Sequence, residues 1–441
     1  MRLYLSLSLF LLFFFTLRVQ AQDSNILQPI PTVYSHDLAS LVSIANEPNQ
    51  DSLSFKPIVG EPVRQVPSRK NSFLYYPSLG YQPEIGVQFG LHGIFYFDMD
   101  KKDSVSRRSK FDSRAFYTTK NQFYTYDLFQ IFTKDEKYNI NGWLQGGYWN
   151  DRFYPIGNRP THKIVEFFPS GADTVNYFNY SYQFVNFYTV LDRKINDNLF
   201  AGLMVEYDRS GQNQILADSL NRNENKLLSR NDATRTGLGG NINYDSRDNC
   251  DNPLKGAYIQ VVGGLYRKAF GGSSNYHLVT MDADKYINTF KDQTLALRLV
   301  LEYRKADNAG EPIPIRGLSY NGGISSLRGY FSGTYRDNNL LAVETEYRLP
   351  INIHENAPFW KFWERMGVVA FFSGVRVNSQ FQKLFASSTI DYHYAGGVGL
   401  RYMINMKQRL NATLDYAVGL DKNAGAGQRP TGFYFSLGEA F

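Results

Sequence analysis

The chain has 441 residues, a formal net charge of +6 and a mean hydropathy of −0.38. Its basic residues are scattered among Asp and Glu with no basic stripe, which argues against nucleic acid as a partner. The lone cysteine, Cys250, excludes an internal disulfide and sits too far from the N-terminus to carry a lipid.

In chain order, Arg2 is followed by an apolar run from Leu3 to Leu17, and Val19-Gln20-Ala21 places small residues where a signal peptidase cuts. This pattern predicts a secretory signal over residues 1–21, with the mature chain starting at Gln22. Residues 22–71 are polar and contain several prolines, with one short helix expected near His36–Ile44. They read as a short periplasmic tail, too small for a substantial core of its own.

After the signal, no run reaches the ~18 apolar residues that a membrane helix needs. Yet aromatics make up 16% of the chain, with 32 Tyr and 33 Phe. A transmembrane β-barrel reconciles the two. Its strands alternate lipid-facing apolar residues with lumen-facing polar ones, and aromatics gather at the two interfaces.

From residue 72 onward the period is two. Leu410, Ala412, Leu414, Tyr416 and Val418 alternate with Asn411, Thr413, Asp415 and Ala417. Leu341, Val343, Thr345, Tyr347 and Leu349 alternate with Glu344, Glu346 and Arg348. Leu295, Leu297, Leu299, Leu301 and Tyr303 alternate with Arg298 and Glu302, and His393, Arg401 and Asn405 mark the polar face of another segment. A charge on a lipid face is costly at mid-depth, so these charges are expected to face the lumen.

Sixteen such segments are expected, at 72–81, 85–98, 111–119, 122–133, 138–151, 175–194, 197–210, 233–245, 256–270, 275–290, 292–304, 338–350, 365–377, 392–406, 408–419 and 431–441. An even count puts both termini on one side, which for an exported barrel is the periplasm. The connections at Asn196, Lys291 and Lys407 are then the short periplasmic turns. The insertions near 152–174, 211–232, 305–337, 378–391 and 420–430 are the long external loops. The connection 352–364 is an exception on the short side. Its Phe359, Trp360, Phe362 and Trp363 suggest a short amphipathic helix along the inner interface. The expected fold class is all-β: a 16-stranded antiparallel transmembrane β-barrel over 72–441, in the outer membrane, with an inward-folded loop 6.

Catalytic motifs are missing. The chain has no G-x-S-x-G, H-E-x-x-H, P-loop or C-x-x-C, and its six histidines show no ligand spacing. His393 reads as a hydrogen-bonded wall residue. The chain is therefore expected not to be an enzyme and to use no cofactor or metal.

The informative stretch is Gly322-Gly323-Ile324-Ser325-Ser326-Leu327-Arg328-Gly329-Tyr330, in the longest external loop. Paired glycines let the backbone fold tightly, and Gly329 lets it pass close to another element. An arginine held inside a barrel needs a carboxylate partner, and its planar fork suits bidentate pairing. Glu344 and Glu346, lumen-facing on the next strand, are the candidates. The loop is expected to fold into the lumen and dock through Arg328.

These residues resemble the BamA/TamA superfamily of outer-membrane assembly factors, the bacterial surface antigen barrels, whose sixth loop folds inward with an Arg-Gly-aromatic signature. Three further stretches are similar to that family: Asn243–Val261 with Asp-x-Arg and Pro-x-x-Gly, Glu344–Pro350 with Glu346 at an acidic position, and Phe433–Phe441 as a terminal assembly signal. The resemblance spans residues 72–441. Its thirteenth strand would offer F-x-D-x-G to the loop arginine, but this chain reads Ala370-Phe371-Phe372-Ser373-Gly374. The expected partner of Arg328 therefore shifts to Glu346, with Glu344 as second choice. The segment 22–71 is too short for a polypeptide-transport-associated (POTRA) domain, so the resemblance is to a POTRA-less branch.

The resemblance implies two open readings. In one, the barrel aids protein insertion, assembly or translocation at the outer membrane through a weak lateral seam. Tyr76, Pro77 and Gly80 of the first strand would face Phe433, Phe435 and Phe441 of the last, and proline weakens strand pairing. Partners would be outer-membrane lipid and lipopolysaccharide, and a lipoprotein or assembly complex. In the other, the barrel is a loop-plugged pore or a binding platform for other envelope proteins.

Overall fold

The computed structural model describes residues 71–82, 86–100, 109–154, 156–157, 178–215, 233–248, 252–290, 293–308, 311–323, 327–351, 363, 365–386, 392–405, 410–421 and 429–437. The signal, the tail, most of the 352–364 connection, Ile324-Ser325-Ser326 and Phe441 lie outside the described residues.

Sixteen strands form one antiparallel sheet, each paired with its chain neighbour. They are β1 (Ser72–Gln82), β2 (Gly86–Phe97), β3 (Ser109–Thr118), β4 (Phe123–Phe132), β5 (Tyr138–Phe153), β6 (Phe178–Lys194), β7 (Leu199–Ile215), β8 (Ala233–Asp245), β9 (Gly256–Tyr266), β10 (Tyr276–Phe290), β11 (Gln293–Ala306), β14 (Asn339–Pro350), β15 (Met366–Asn378), β16 (His393–Asn405), β17 (Leu410–Gly419) and β18 (Thr431–Leu437). Two short strands, β12 (Ser319–Asn321) and β13 (Tyr335–Asp337), form a separate hairpin inside loop 6. Neither strand was among the sixteen segments expected from the sequence. Three-residue strands are too short for alternation to register, and only their mutual pairing defines them.

The sheet is a barrel, and the alternation is literal. Leu203, Leu238, Val343 and Val398 are exposed on the outer wall. Between them, Met204, Asn241, Glu344, Glu346, Thr413 and Asp415 are buried inward. No helix among the described residues is long and apolar enough to cross a membrane, which says nothing against crossing by strands.

Motif residues shape the turn between β8 and β9. Arg247 donates to both oxygens of Asp245 at 2.9 Å and lies 4.5 Å from the Tyr258 ring. Asp248 Oδ1 accepts the Leu254 and Lys255 N–H groups, and Gly256 enters β9 at φ +109°. The Asp-x-Arg and Pro-x-x-Gly pattern is thus a turn-building device.

β1 and β18 come together at the two edges of the sheet. Among the described residues β1 is laddered only to β2, and β18 only to β17.

Candidate functional site

Loop 6 runs from β11 to β14 and crosses the lumen between two anchorages. Its leading half carries a short 3-10 turn, Ile315–Gly317. Ile315 is fully buried against Tyr182 and Phe184 of β6, with Tyr124, Trp149 and Ile156 packed around them. Next to it, Arg316 Nη2 meets Asp208 Oδ2 of β7 at 2.8 Å, and its guanidinium lies 4.4 Å from the Phe184 ring centroid. Asp208 is shared with Arg235 of β8, which also donates to Glu206 at 2.9 Å. The Tyr266 hydroxyl donates to the other oxygen of Glu206. The Gly157 N–H donates to the Arg336 carbonyl at 2.7 Å, tying the β5–β6 connection to the loop hairpin.

The trailing half holds the glycine-arginine motif. Gly322 and Gly323 take φ of +116° and +84°, and the Gly323 N–H donates to the Tyr330 carbonyl at 2.8 Å. This closes the motif on itself. Leu327 and Tyr330 then pack with Tyr335, Leu340, Ala342, Val375 and Ala395 into one buried cluster. Gly329 sits at φ +107°, and a Cβ there would stand 2.9 Å from the backbone nitrogen of Gly419 on β17. Only a glycine lets the loop lie this close to the wall.

Arg328 is completely buried. Its Nη2 reaches Glu346 Oε1 on β14 at 2.6 Å, and its Nη1 reaches Asp415 Oδ2 on β17 at 2.7 Å. The face of the guanidinium lies 3.5 Å from the centroid of the Phe371 ring on β15. Each acid has a second arginine: Arg348 donates to Glu346 Oε2 at 3.0 Å, and Arg401 donates to Asp415 Oδ1. Each carboxylate in the cluster thus accepts from two arginines, one on each oxygen, which offsets the cost of burying it.

The neighbours of Arg328 clamp two further elements. The Gly329 N–H donates to the Tyr434 hydroxyl of β18 at 2.8 Å, and that hydroxyl donates to the Tyr330 carbonyl at 3.3 Å. The Tyr330 hydroxyl donates to the Tyr394 carbonyl at 3.2 Å and accepts the Asp421 N–H. Burial pushes the Tyr330 hydroxyl up, so it stays a proton donor. The Tyr335 hydroxyl donates to Asp421 Oδ2, which also meets His393 Nδ1 at 2.5 Å, and the Tyr335 and His393 rings stack at 3.7 Å. His393 is thus a bonded wall residue.

Gly323, Leu327, Arg328, Gly329, Tyr330 and Glu346 come together in one site. Glu344, the second-choice partner, does not join it. It faces inward one pleat nearer the loop, makes no hydrogen bond among the described residues, and lies 3.6 Å from Arg298. Phe371 stands where the F-x-D-x-G pattern offers an aromatic to the loop arginine, and Asp415 is the partner that the sequence did not point to. The acid missing at Ser373 is supplied two strands further on. Asp415 was visible as the one acid on the polar face of its strand, but nothing in the sequence linked that strand to loop 6. Arg316 and Asp208 carried no motif at all.

The seam residues occupy regular ladder positions. Tyr76, Pro77 and Gly80 pair with His92, Leu91 and Gln88, and Phe433 and Phe435 pair with Tyr416 and Leu414.

A sixteen-stranded antiparallel barrel with an apolar outer wall and an inward loop locked by a buried arginine defines an outer-membrane-type β-barrel. The chain belongs to the Omp85 superfamily, whose domain matches residues 148–441. Its fold is similar to that of BamA from Haemophilus ducreyi lacking POTRA domains 1–3, with a TM-score of 0.56 and 14% identity over 84% of this chain and 70% of that one. It is also similar to CdiB from Escherichia coli, with a TM-score of 0.50 and 10% identity over 84% of this chain. The match spans 62% of that CdiB chain, less than two thirds of its length. No curated protein matches the sequence.

Proposed function

We propose that this barrel aids the insertion, assembly or translocation of other proteins at the outer membrane, acting at the seam between β1 and β18 together with a partner. The observation that carries this reading is the bond from Gly329 to Tyr434. Tyr434 lies on the edge strand β18, so the loop lock and the seam share a residue. A loop held across the lumen leaves the seam as the site of action. An edge strand beside lipid is a template for an incoming strand. Both termini then face the periplasm, lipid and lipopolysaccharide surround the wall, and a lipoprotein or assembly complex delivers clients. The barrel contributes pairing edges and no catalytic chemistry, and it needs no cofactor.

The test pairs Tyr75→Cys, exposed on the outer face of β1, with Phe435→Cys on the outer face of β18, in a Cys250→Ser background, and joins them by a short crosslinker. Crosslinking should abolish the effect of the protein on the outer-membrane proteome, and depletion of the protein should change that proteome. If depletion leaves the proteome unchanged, the insertase reading fails. The second reading is a loop-plugged pore. It draws on the two anchorages of loop 6 across the lumen and expects ion conduction once the loop is released.

A further inference from the structure

Along β15 the inward side chains are Phe371, Ser373, Val375 and Val377, all buried, while Phe372 is exposed on the outer wall. Arg376 has the outward parity, yet it is only 2% exposed. Its own connection covers it. The 3-10 turn Phe381–Phe385 folds back over the outside of the barrel, and Arg376 Nη1 donates to the Ala386 carbonyl at 2.8 Å. The Tyr392 ring lies 4.9 Å from the guanidinium, and its hydroxyl donates to the Leu384 carbonyl at 2.9 Å. Leu384 is completely buried beneath the turn.

The outer surface of this turn is apolar and continuous with the lipid-facing wall. Phe381 meets Tyr303 edge to face at 5.2 Å, and Tyr303 belongs to the outward column of β11 with Leu299 and Leu301. Phe385 packs on Phe381 at 5.5 Å and remains 57% exposed. On the other flank, Phe372, Tyr394 and Tyr392 form a stacked aromatic lane up the wall.

We propose that residues 379–386 form an interfacial lipid anchor, a short turn lying in the headgroup region with Phe381 and Phe385 directed toward the acyl chains. Three features support lipid as the occupant. The patch extends the lipid-facing surface without a break. The carbonyls at the end of the turn are taken by Arg376 and Tyr392, so little unsatisfied backbone meets an apolar medium. Exposed Gln382 and Lys383 flank the phenylalanines, and a lysine stem reaches from apolar surface to headgroup oxygen. Amphipathic elements of this kind sit ~5–10 Å into the headgroup–acyl boundary. Rigid support from Arg376 and Leu384 makes the turn a fixed anchor that sets the depth of this rim.

The test places an environment-sensitive fluorophore at Phe385→Cys in a Cys250→Ser background, with the full chain reconstituted in phospholipid vesicles. Nitroxide lipids labelled near the headgroup should quench it more strongly than lipids labelled at the chain terminus, and iodide should quench it weakly. Val398→Cys on the outer wall and Tyr320→Cys on the loop hairpin supply the lipid and water references. Phe385 is itself exposed, so the substitution leaves the fold intact. Strong iodide quenching without lipid quenching would overturn the anchor, as would shielding from both, which would place a second copy or another protein on the patch.

Discussion

Arg328 and Asp415 lie 87 residues apart along the chain and meet at 2.7 Å inside the barrel. With Glu346 on its other nitrogen, one guanidinium ties β14 to β17, strands separated in the sheet by β15 and β16. The Phe371 ring of β15 fills the space between them. A planar five-donor fork gives each acid its own nitrogen and leaves its face to the ring, whereas an ammonium would have to serve both acids from one atom and has no flat face.

Removing either partner tests the lock. Arg328→Ala leaves Glu346 with Arg348 and Asp415 with Arg401, so the loss should lie near the lower end of the range for a broken buried pair, ~3 kcal/mol. Asp415→Ala strands one arm of Arg328 and the facing arm of Arg401, and should cost more, ~3–5 kcal/mol. Urea unfolding followed by heat-modifiable gel mobility orders the two variants. An Asp415→Ala protein as stable as the parent would remove β17 from the lock.

Gly329→Ala probes the close approach of loop and wall. The left-handed backbone costs an L-residue ~1–2 kcal/mol, and the new methyl meets the Gly419 backbone at 2.9 Å. The loop should lift from β17 and break the Gly329–Tyr434 bond. Protease cleavage near residues 327–330 should then rise while the barrel keeps its folded gel mobility.

Arg316→Ala should release the leading half of loop 6 alone. Asp208 keeps Arg235, so the β7–β8 wall stays satisfied. Cleavage between residues 311 and 318 should increase, and single-channel recordings should show steady conductance while Arg328 remains docked. The two anchorages share no partner, so the stability effects of Arg316→Ala and Arg328→Ala should add within ~0.5 kcal/mol.

Acid should loosen the cluster around Asp421. Burial raises this carboxyl, but the His393 hydrogen bond and charge and the Tyr330 and Tyr335 hydrogen bonds outweigh it and hold the group below its ordinary value. A lowered carboxylate stabilises the fold above the unfolded value, near ~3.9, and that contribution is lost as pH falls below it. Amide protection factors at residues 330–335, taken relative to the intrinsic exchange rate at each pH, should therefore fall as pH drops below about 4. In Asp421→Asn this acid-induced step should vanish. Its persistence would assign the effect to another group.

Much of this molecule follows from local pattern. Side chains alternate across a strand with period two, so the sixteen segments, their inward charges and the low mean hydropathy follow from the chain alone. The Gly-Gly and Arg-Gly-Tyr spacing likewise marked the loop that turns inward, because positive φ and a buried arginine leave few other uses for those residues. The partners were decided only by the curvature of the wall around the lumen. A barrel lumen brings together strands whose separation along the chain carries no record of their distance. Asp415 therefore meets Arg328 across two intervening strands, Asp208 receives Arg316 on the far wall, and Glu344, one pleat from Glu346, is left to Arg298.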